Sequence, residues 1–482
     1  MTTHAPAPVR GRRHVASATA VLALAAAACP AMSSAASGAA VAPARLPTPA
    51  GEMAQLDREP AIATADGTTV WAVADENTAS TNPTATTLAH VWRSDDGGAS
   101  FRYVASPFAG AGSLGDGFDV DIAVAPVAAA DGTHRVYVVK NAFQGNALAT
   151  STDGTTWTTL PFTPSRAPTD RPWLAATGAC EVDLVYRVWL PFSSPLPSND
   201  SVLYDDHYDL CVSVPGRSVL SPITSMQLPN EVAADVSGRP VFTPSGSLLV
   251  PVIACVGART RVGTAAFGTS ACPDGSALSV GLSVRTAAGT WSSREVWRGP
   301  GGIESYPAVA VDAAGAVGLV WQTRGKVFFA RAATPMSAFS AAVVVNPAEV
   351  PSALFPSVVA DDGTFTVAYV GTQRHGDYTS TAVMGASTPQ TSGTAAPAAV
   401  WSVWRTTMVR GRPGGSDEVI QDLHRGALCG LGSSGCASRG GRNLYETLQA
   451  LDVRGRLVIA ATCDRPGGRL ADAYATVTRA AD

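Results

Sequence analysis

The sequence predicts an all-β fold, a single β-propeller of about six blades, with seven also allowed. Three observations predict it. The 482 residues include 46 Gly and 34 Pro, too many turn formers for a helical protein, and a 46% apolar fraction is ample for a large core. Helical periodicity is nearly absent, while short runs of alternating apolar residues recur along the chain. Those runs share one pattern: a Pro or a substitute, an alternating run, an Asp/Gly turn, and a second alternating run.

The N-terminus stands apart. Residues 1–42 read as an export signal: Arg10, Arg12 and Arg13 form a basic region, Val15 to Ala28 an apolar one, and small residues from Ser33 to Ala40 offer cleavage sites. A secreted protein is therefore expected, with lipid anchoring through Cys29 the less favoured alternative. A Pro/Ala-rich lead at 43–54 precedes the propeller, assigned to 55–482.

The repeats start at Glu59-Pro60, Asp119-Val120, Arg171-Pro172, Arg239-Pro240, Tyr306-Pro307, Phe355-Pro356 and Tyr445-Glu446. Each contains two strands by period-2 alternation. A two-strand fragment cannot bury both faces alone, so the fragments must pack side by side, and closing them into a ring removes most exposed edges. The low-complexity stretch 385–399 reads as a surface loop.

Between two apolar runs lies Ser94-Asp95-Asp96-Gly97-Gly98-Ala99-Ser100-Phe101. Asp96 and the two hydroxyls can accept backbone N–H groups, the glycines accept positive φ, and Phe101 can anchor the turn. A second such turn runs from Ser151 through Asp153 and Gly154 to Trp157, and a degenerate third from Arg285 to Trp291. With Ser94, Asp96, Gly98, Phe101, Asp153 and Trp157 in place, this order of residue types resembles the Asp-box (BNR repeat) of the sialidase superfamily.

That resemblance implies a sialidase-type propeller and a retaining glycoside hydrolase that removes terminal sialic acid. The family uses three arginines on the substrate carboxylate, an Asp acid and a Tyr activated by a Glu. These residue types suit that chemistry, since arginine keeps a permanent charge and a bidentate fork, and a neutral tyrosine avoids repulsion by the substrate carboxylate. Arg58 stands where the family's first arginine opens the first blade, Arg324 resembles the second, and Arg374, Arg405 and Arg410 compete for the third. Glu304 and Tyr445 match the glutamate and the nucleophile. Asn82 falls where the acid is expected and cannot supply a proton, leaving Asp75 or Glu76 as substitutes. The alternative is a non-catalytic propeller that binds a glycan or a protein.

In an exported chain, cysteines are expected in disulfides. The spacings suggest Cys180 with Cys211 and Cys255 with Cys272, and two of Cys429, Cys436 and Cys463 as a third pair. No zinc-site spacing occurs, and no cofactor is expected. The run Asp205-Asp206-His207-Tyr208-Asp209 could supply calcium ligands, but a solvated acidic turn is the stronger reading. A net charge of -4 excludes an electrostatic nucleic-acid or anionic-membrane footprint. A carbohydrate or glycoconjugate partner, a monomer and no membrane-spanning segment complete the expectation.

Overall fold

Seven antiparallel sheets close into a ring in a computed structural model of the chain. The structure describes residues 40–47, 57–76, 89–109, 119–142, 145–160, 169–189, 201–211, 224–227, 236–256, 277–300, 305–386, 397–428, 444, 447–464 and 471–478. The count is seven blades, the larger of the two numbers the sequence allows.

Blade one comprises β1 (Asp57–Thr64), β2 (Val70–Glu76), β3 (Ala89–Ser94) and β4 (Arg102–Ala105). Blade two is β5 (Val120–Val124), β6 (Val136–Ala142), β7 (Gly145–Ser151) and β8 (Thr158–Leu160). Blade three is β9 (Thr169–Thr177), β10 (Glu181–Trp189), β11 (Ser201–Asp209) and β12 (Thr224–Gln227). In blade four the inner strand is broken into β13 (Val236–Ser237) and β14 (Val241–Phe242), followed by β15 (Leu248–Val256), β16 (Ala277–Arg285) and β17 (Trp291–Pro300). Blade five is β18 (Ala308–Val311), β19 (Val317–Thr323), β20 (Lys326–Ala332) and β21 (Val343–Val344). Blade six is β22 (Ser352–Asp361), β23 (Thr364–Thr372), β24 (Val400–Val409) and β25 (Arg412–Arg425), with a single helical turn, α1 (Thr381–Met384), between β23 and β24. Blade seven has β26 (Leu448–Val453), β27 (Arg456–Asp464) and β28 (Ala471–Val477).

The ring is closed by the N-terminal segment. Leu46 N donates to Ala473 O, Ala475 N to Ala44 O, and Ala44 N to Thr476 Oγ1, so residues 44–46 lie along β28 as an outer strand. Val41 makes a parallel bridge to Ile420 of blade six. The Pro/Ala-rich stretch thus contributes a strand to the ring.

Each sheet buries both faces. Ala61, Ala63, Trp71 and Val73 pack against blade two, whereas Ile62, Val70, Ala72 and Ala74 pack against blade seven. Apolar residues at successive positions are therefore needed on one strand, which blurs the alternation of a half-solvated sheet. The inner strands would leave unpaired backbone edges along the axis. Side chains from neighbouring blades occupy several of these groups: Gln449 Oε1 accepts from Ile62 N at 3.0 Å, Asp121 Oδ2 from Leu174 N at 2.8 Å, and Ser357 Oγ from Ala450 N at 3.1 Å.

The Asp-box-like turns join the third and fourth strands of blades one, two and four. Ser94 Oγ donates to Asp96 Oδ1 and accepts from Gly98 N at 2.8 Å, while Asp96 receives Ser100 N and Oγ. Those bonds hold the Asp96 carboxyl down at about 2. In the second turn Ser151, Asp153 and the amides of Gly154, Thr155 and Thr156 repeat the scheme, and Trp157 Nε1 donates to Gly154 O at 3.0 Å. Phe101 and Trp157 rest on neighbouring core clusters.

Cys180 and Cys211 form a disulfide with a Cα–Cα separation of 5.5 Å. Cys463 is buried in blade seven. The side chain of Cys255 and residues Cys272, Cys429 and Cys436 lie outside the described residues, as does most of 1–42, including Cys29. The 205–209 run is neither a solvated turn nor a calcium loop: it is strand β11, with Asp205 and Asp206 buried. No cluster of side chains suited to a metal occurs among the described residues. No helix of the described residues is long and apolar enough to cross a membrane.

Candidate functional site

Three inner strands carry an irregularity at the same repeat position. Glu59, Arg171 and Phe355 have φ of 49°, 52° and 51°, and each precedes a proline. Proline disfavours the right-handed helical region for the residue before it, and the left-handed region is costly for a residue with a Cβ. At each of these places the pairing register slips between the inner strand and its neighbour, as in a β-bulge. Bulges re-aim side chains. Here they accompany the contacts that Glu59 and Arg171 make across the ring.

The result is a buried charge cluster where the inner strands of blades one to three begin. Arg171 Nη1 lies 2.7 Å from Glu59 Oε2 of blade one and 2.9 Å from Asp119 Oδ1, just before β5, and its guanidinium sits 4.9 Å over the Tyr306 ring of blade five. Arg187 pairs with Asp170. Lys140 Nζ pairs with Asp75 Oδ1, and both side chains are essentially inaccessible. His90 Nδ1 lies 2.9 Å from Asp57 Oδ1, also fully buried. Asn141 Nδ2 donates to Thr169 O at 3.0 Å.

The carboxyl groups titrate apart. Burial pushes Asp75 up to about 7, against the opposing charges of Lys140 and Arg58 and with help from Asp119. Burial also disfavours the ionised form of Asp119, but Arg171 and the hydrogen bonds from Glu59, Asp170 and the Arg171 amide outweigh it, so Asp119 is held well below the usual carboxylate range. Asp170 is raised, by burial first and by the Asp119 charge. Asp75 Oδ2, Asn141 Oδ1 and Asn146 Nδ2 are buried without a hydrogen-bond partner among the described residues.

Arg239 crosses the axis as a second bar. Its Nη1 donates to Ile62 O at 2.8 Å and to Gln449 Oε1 at 2.9 Å, its Nη2 donates to Ile122 O, and its Nε lies 3.3 Å from Asp121 Oδ2. One guanidinium thus ties blades one, two, four and seven. An axial cavity of about 420 Å³ is lined by inner strands of all seven blades, including Trp173, Tyr306 and Phe355.

Of the residues singled out in the sequence, Arg58 and Asp75 come together, directly across β1 and β2. Arg58 is nearly buried, and its charge acts on Asp75. Arg324 is exposed on the β19–β20 turn, with φ 51° before Gly325, and does not line the axial cavity. Arg405 sits on the third strand of blade six, 3.4 Å from Asp417. Arg58, Arg324 and Arg405 thus lie on blades one, five and six. Asn82, Glu304 and Tyr445 lie outside the described residues. In the sequence Asp119, Arg171 and Arg239 stand out only as repeat starts, and Lys140, His90 and Arg187 carry no signal. The signal that could have found these arginines is the charged residue before proline in the repeat's axial slot.

No protein-family model matches the chain, and no curated protein matches it. Among solved structures it is similar to a protein of unknown function from Dyadobacter fermentans, at 11% identity and a TM-score of 0.44, covering 91% of this chain and 98% of that one. It is similar to the α-L-arabinanase of Penicillium chrysogenum complexed with arabinobiose, at 12% identity and TM-score 0.42, covering 92% and 98%. It is also similar to a Trypanosoma rangeli sialidase mutant displaying trans-sialidase activity, at 12% identity and TM-score 0.39, covering 92% of this chain and 58% of that one.

Proposed function

We propose that this is an exported, glycan-acting propeller that hydrolyses a glycosidic bond, with Asp75 as proton donor and Asp119 as its ionised partner. The observation that carries this reading is the buried set of Asp75, Lys140, Asp119, Arg171 and Glu59 gathered where the inner strands of blades one to three begin, within which Asp75 is raised and Asp119 is held ionised. Neighbouring acids pushed apart in this way can divide the acid and base roles of glycoside hydrolysis. Asp75 Oδ2 is buried without a hydrogen-bond partner among the described residues, and the proposed reaction requires this atom to become accessible to a leaving oxygen. In the proposed reaction Asp75 protonates that oxygen as the C–O bond breaks, Asp119 stabilises the positive charge growing at the anomeric carbon, and water completes the hydrolysis.

Sialoside cleavage is the specific form expected from the sequence. A neutral glycoside suits the described arginines better, because Arg171 already engages two carboxylates and Arg405 lies beside Asp417. The second reading, a propeller that binds without hydrolysing, is favoured by the complete burial of the Asp75–Lys140 pair.

Fluorogenic glycosides, the sialoside included, separate the readings. We expect release by the wild type, a loss of about 100-fold or more in kcat for Asp75→Asn and Asp119→Asn, and a rate that falls as pH rises through about 7. A wild type that releases nothing from any glycoside would leave the binding reading in place of hydrolysis.

A further inference from the structure

A second cavity, of about 410 Å³, opens on blade six away from the axis, a volume within the range of small-molecule sites. Three adjacent strands build it. Gly371 of β23 is paired with Ser402 of β24, and Trp404 of β24 is paired with Glu418 of β25. Directly paired residues share a face, and Ser402 and Trp404 are two apart, so Gly371, Ser402, Trp404 and Glu418 stand on one side of the sheet. Gly371 lets Trp404 pack closely over β23: a Cβ there would come within 3.1 Å of Trp404 Cδ1 and 2.5 Å of Val350 Cγ1. Trp404 is half-buried against the core between blades five and six. At the rim, Arg374 is held by a hydrogen bond from Nη1 to Val383 O at 3.1 Å, and Gln373 beside it is exposed.

The chemistry of this lining narrows its ligand. One guanidinium and one carboxylate offset each other, so no net charge selects an anion or a cation. Arg374 supplies donors only, Glu418 acceptors only, and Gln373 both, which together match a set of hydroxyl groups. A tryptophan adds an apolar ring against which C–H faces can pack. The geometry points to a binding site for a neutral sugar, separate from the axial cluster. It requires no hydrolysis and so does not depend on the role given to Asp75.

Saturation-transfer difference NMR on the full chain tests this, with methyl glycosides of galactose, arabinose, fucose, glucose and mannose, and with sialic acid as the anionic control. Asp75→Asn is used throughout to prevent turnover. We expect at least one neutral glycoside to bind, with affinity reduced tenfold or more by Trp404→Ala and by Glu418→Gln, and retained in large part by Trp404→Phe. Circular dichroism melts of the same variants separate loss of binding from loss of fold. Absence of neutral-sugar binding, binding of sialic acid alone, or binding unchanged by Glu418→Gln in a folded protein would overturn the proposal. Hydrolysis of fluorogenic substrates that survives Glu418→Gln in a chain with Asp75 intact keeps this outcome distinct from that of the axial site.

Discussion

Asp75 shows how burial and neighbouring charge can work against each other at one residue. Its pKa is raised from 3.8 to about 7 in the folded state, so between those values the native protein holds a proton that the unfolded chain has released. Stability from this group is therefore greatest at low pH and declines as pH rises from about 4 to about 7. Asp75→Asn, which cannot ionise, should flatten that part of the stability curve, measured by urea unfolding at several pH values. Asp96 has the opposite sign: its carboxyl is lowered to about 2, and its contribution is lost as pH falls through that value. Arg239 offers a different test at this scale. Arg239→Met would leave Asp121, fully buried, without its cation, and should cost about 3 kcal/mol in denaturant unfolding. Adding Asp121→Leu should recover part of that loss, because the stranded charge is then removed.

At the scale of the element, the Asp-box-like turns act through the blade beside them as well as through their internal hydrogen bonds. Gly154 has φ +75° and lies against the Trp71 ring of blade one, while Gly98 has φ +90° and a Cβ there would come within 2.8 Å of Val458 of blade seven. Gly132 has a similar φ, +81°, with open space around it. Comparing the alanine substitutions separates backbone strain from collision. Gly132→Ala should cost about 1 kcal/mol from the backbone alone, and Gly154→Ala roughly 3 kcal/mol because the Trp71 ring must move as well. Equal losses in equilibrium unfolding would show that the blade contact adds nothing. The strand and turn pattern was legible because alternation and turn chemistry are local properties of the chain. The bulges were not: nothing local at Glu59-Pro60 or Arg171-Pro172 says that a positive φ will send those side chains across a ring.

For the whole molecule, closure depends on residues far apart in sequence. Removing 44–46 would expose the edge of β28, take the buried Leu46 side chain out of the core and delete the backbone bonds to Ala473 and Ala475. A chain beginning at residue 48 should be less stable than one beginning at residue 38 by roughly 3 to 5 kcal/mol, summing one buried leucine and two or three hydrogen bonds. Thermal unfolding of the two truncated chains checks this, and equal midpoints would refute the role given to the segment.

The sequence by itself determined that the chain is all-β, built of repeated fragments with Asp/Gly turns, and that a propeller ring could close them, because periodicity and turn preference act over a few residues. It also brought Arg58 and Asp75 into view. Only the tertiary structure decided that there are seven blades and that residues 44–46 complete the last one. It also decided that Asp119, Lys140, Arg171 and Arg239 hold the axis. These outcomes depend on which charges meet where water is excluded, and a low dielectric makes such meetings decisive without leaving any trace in local residue order.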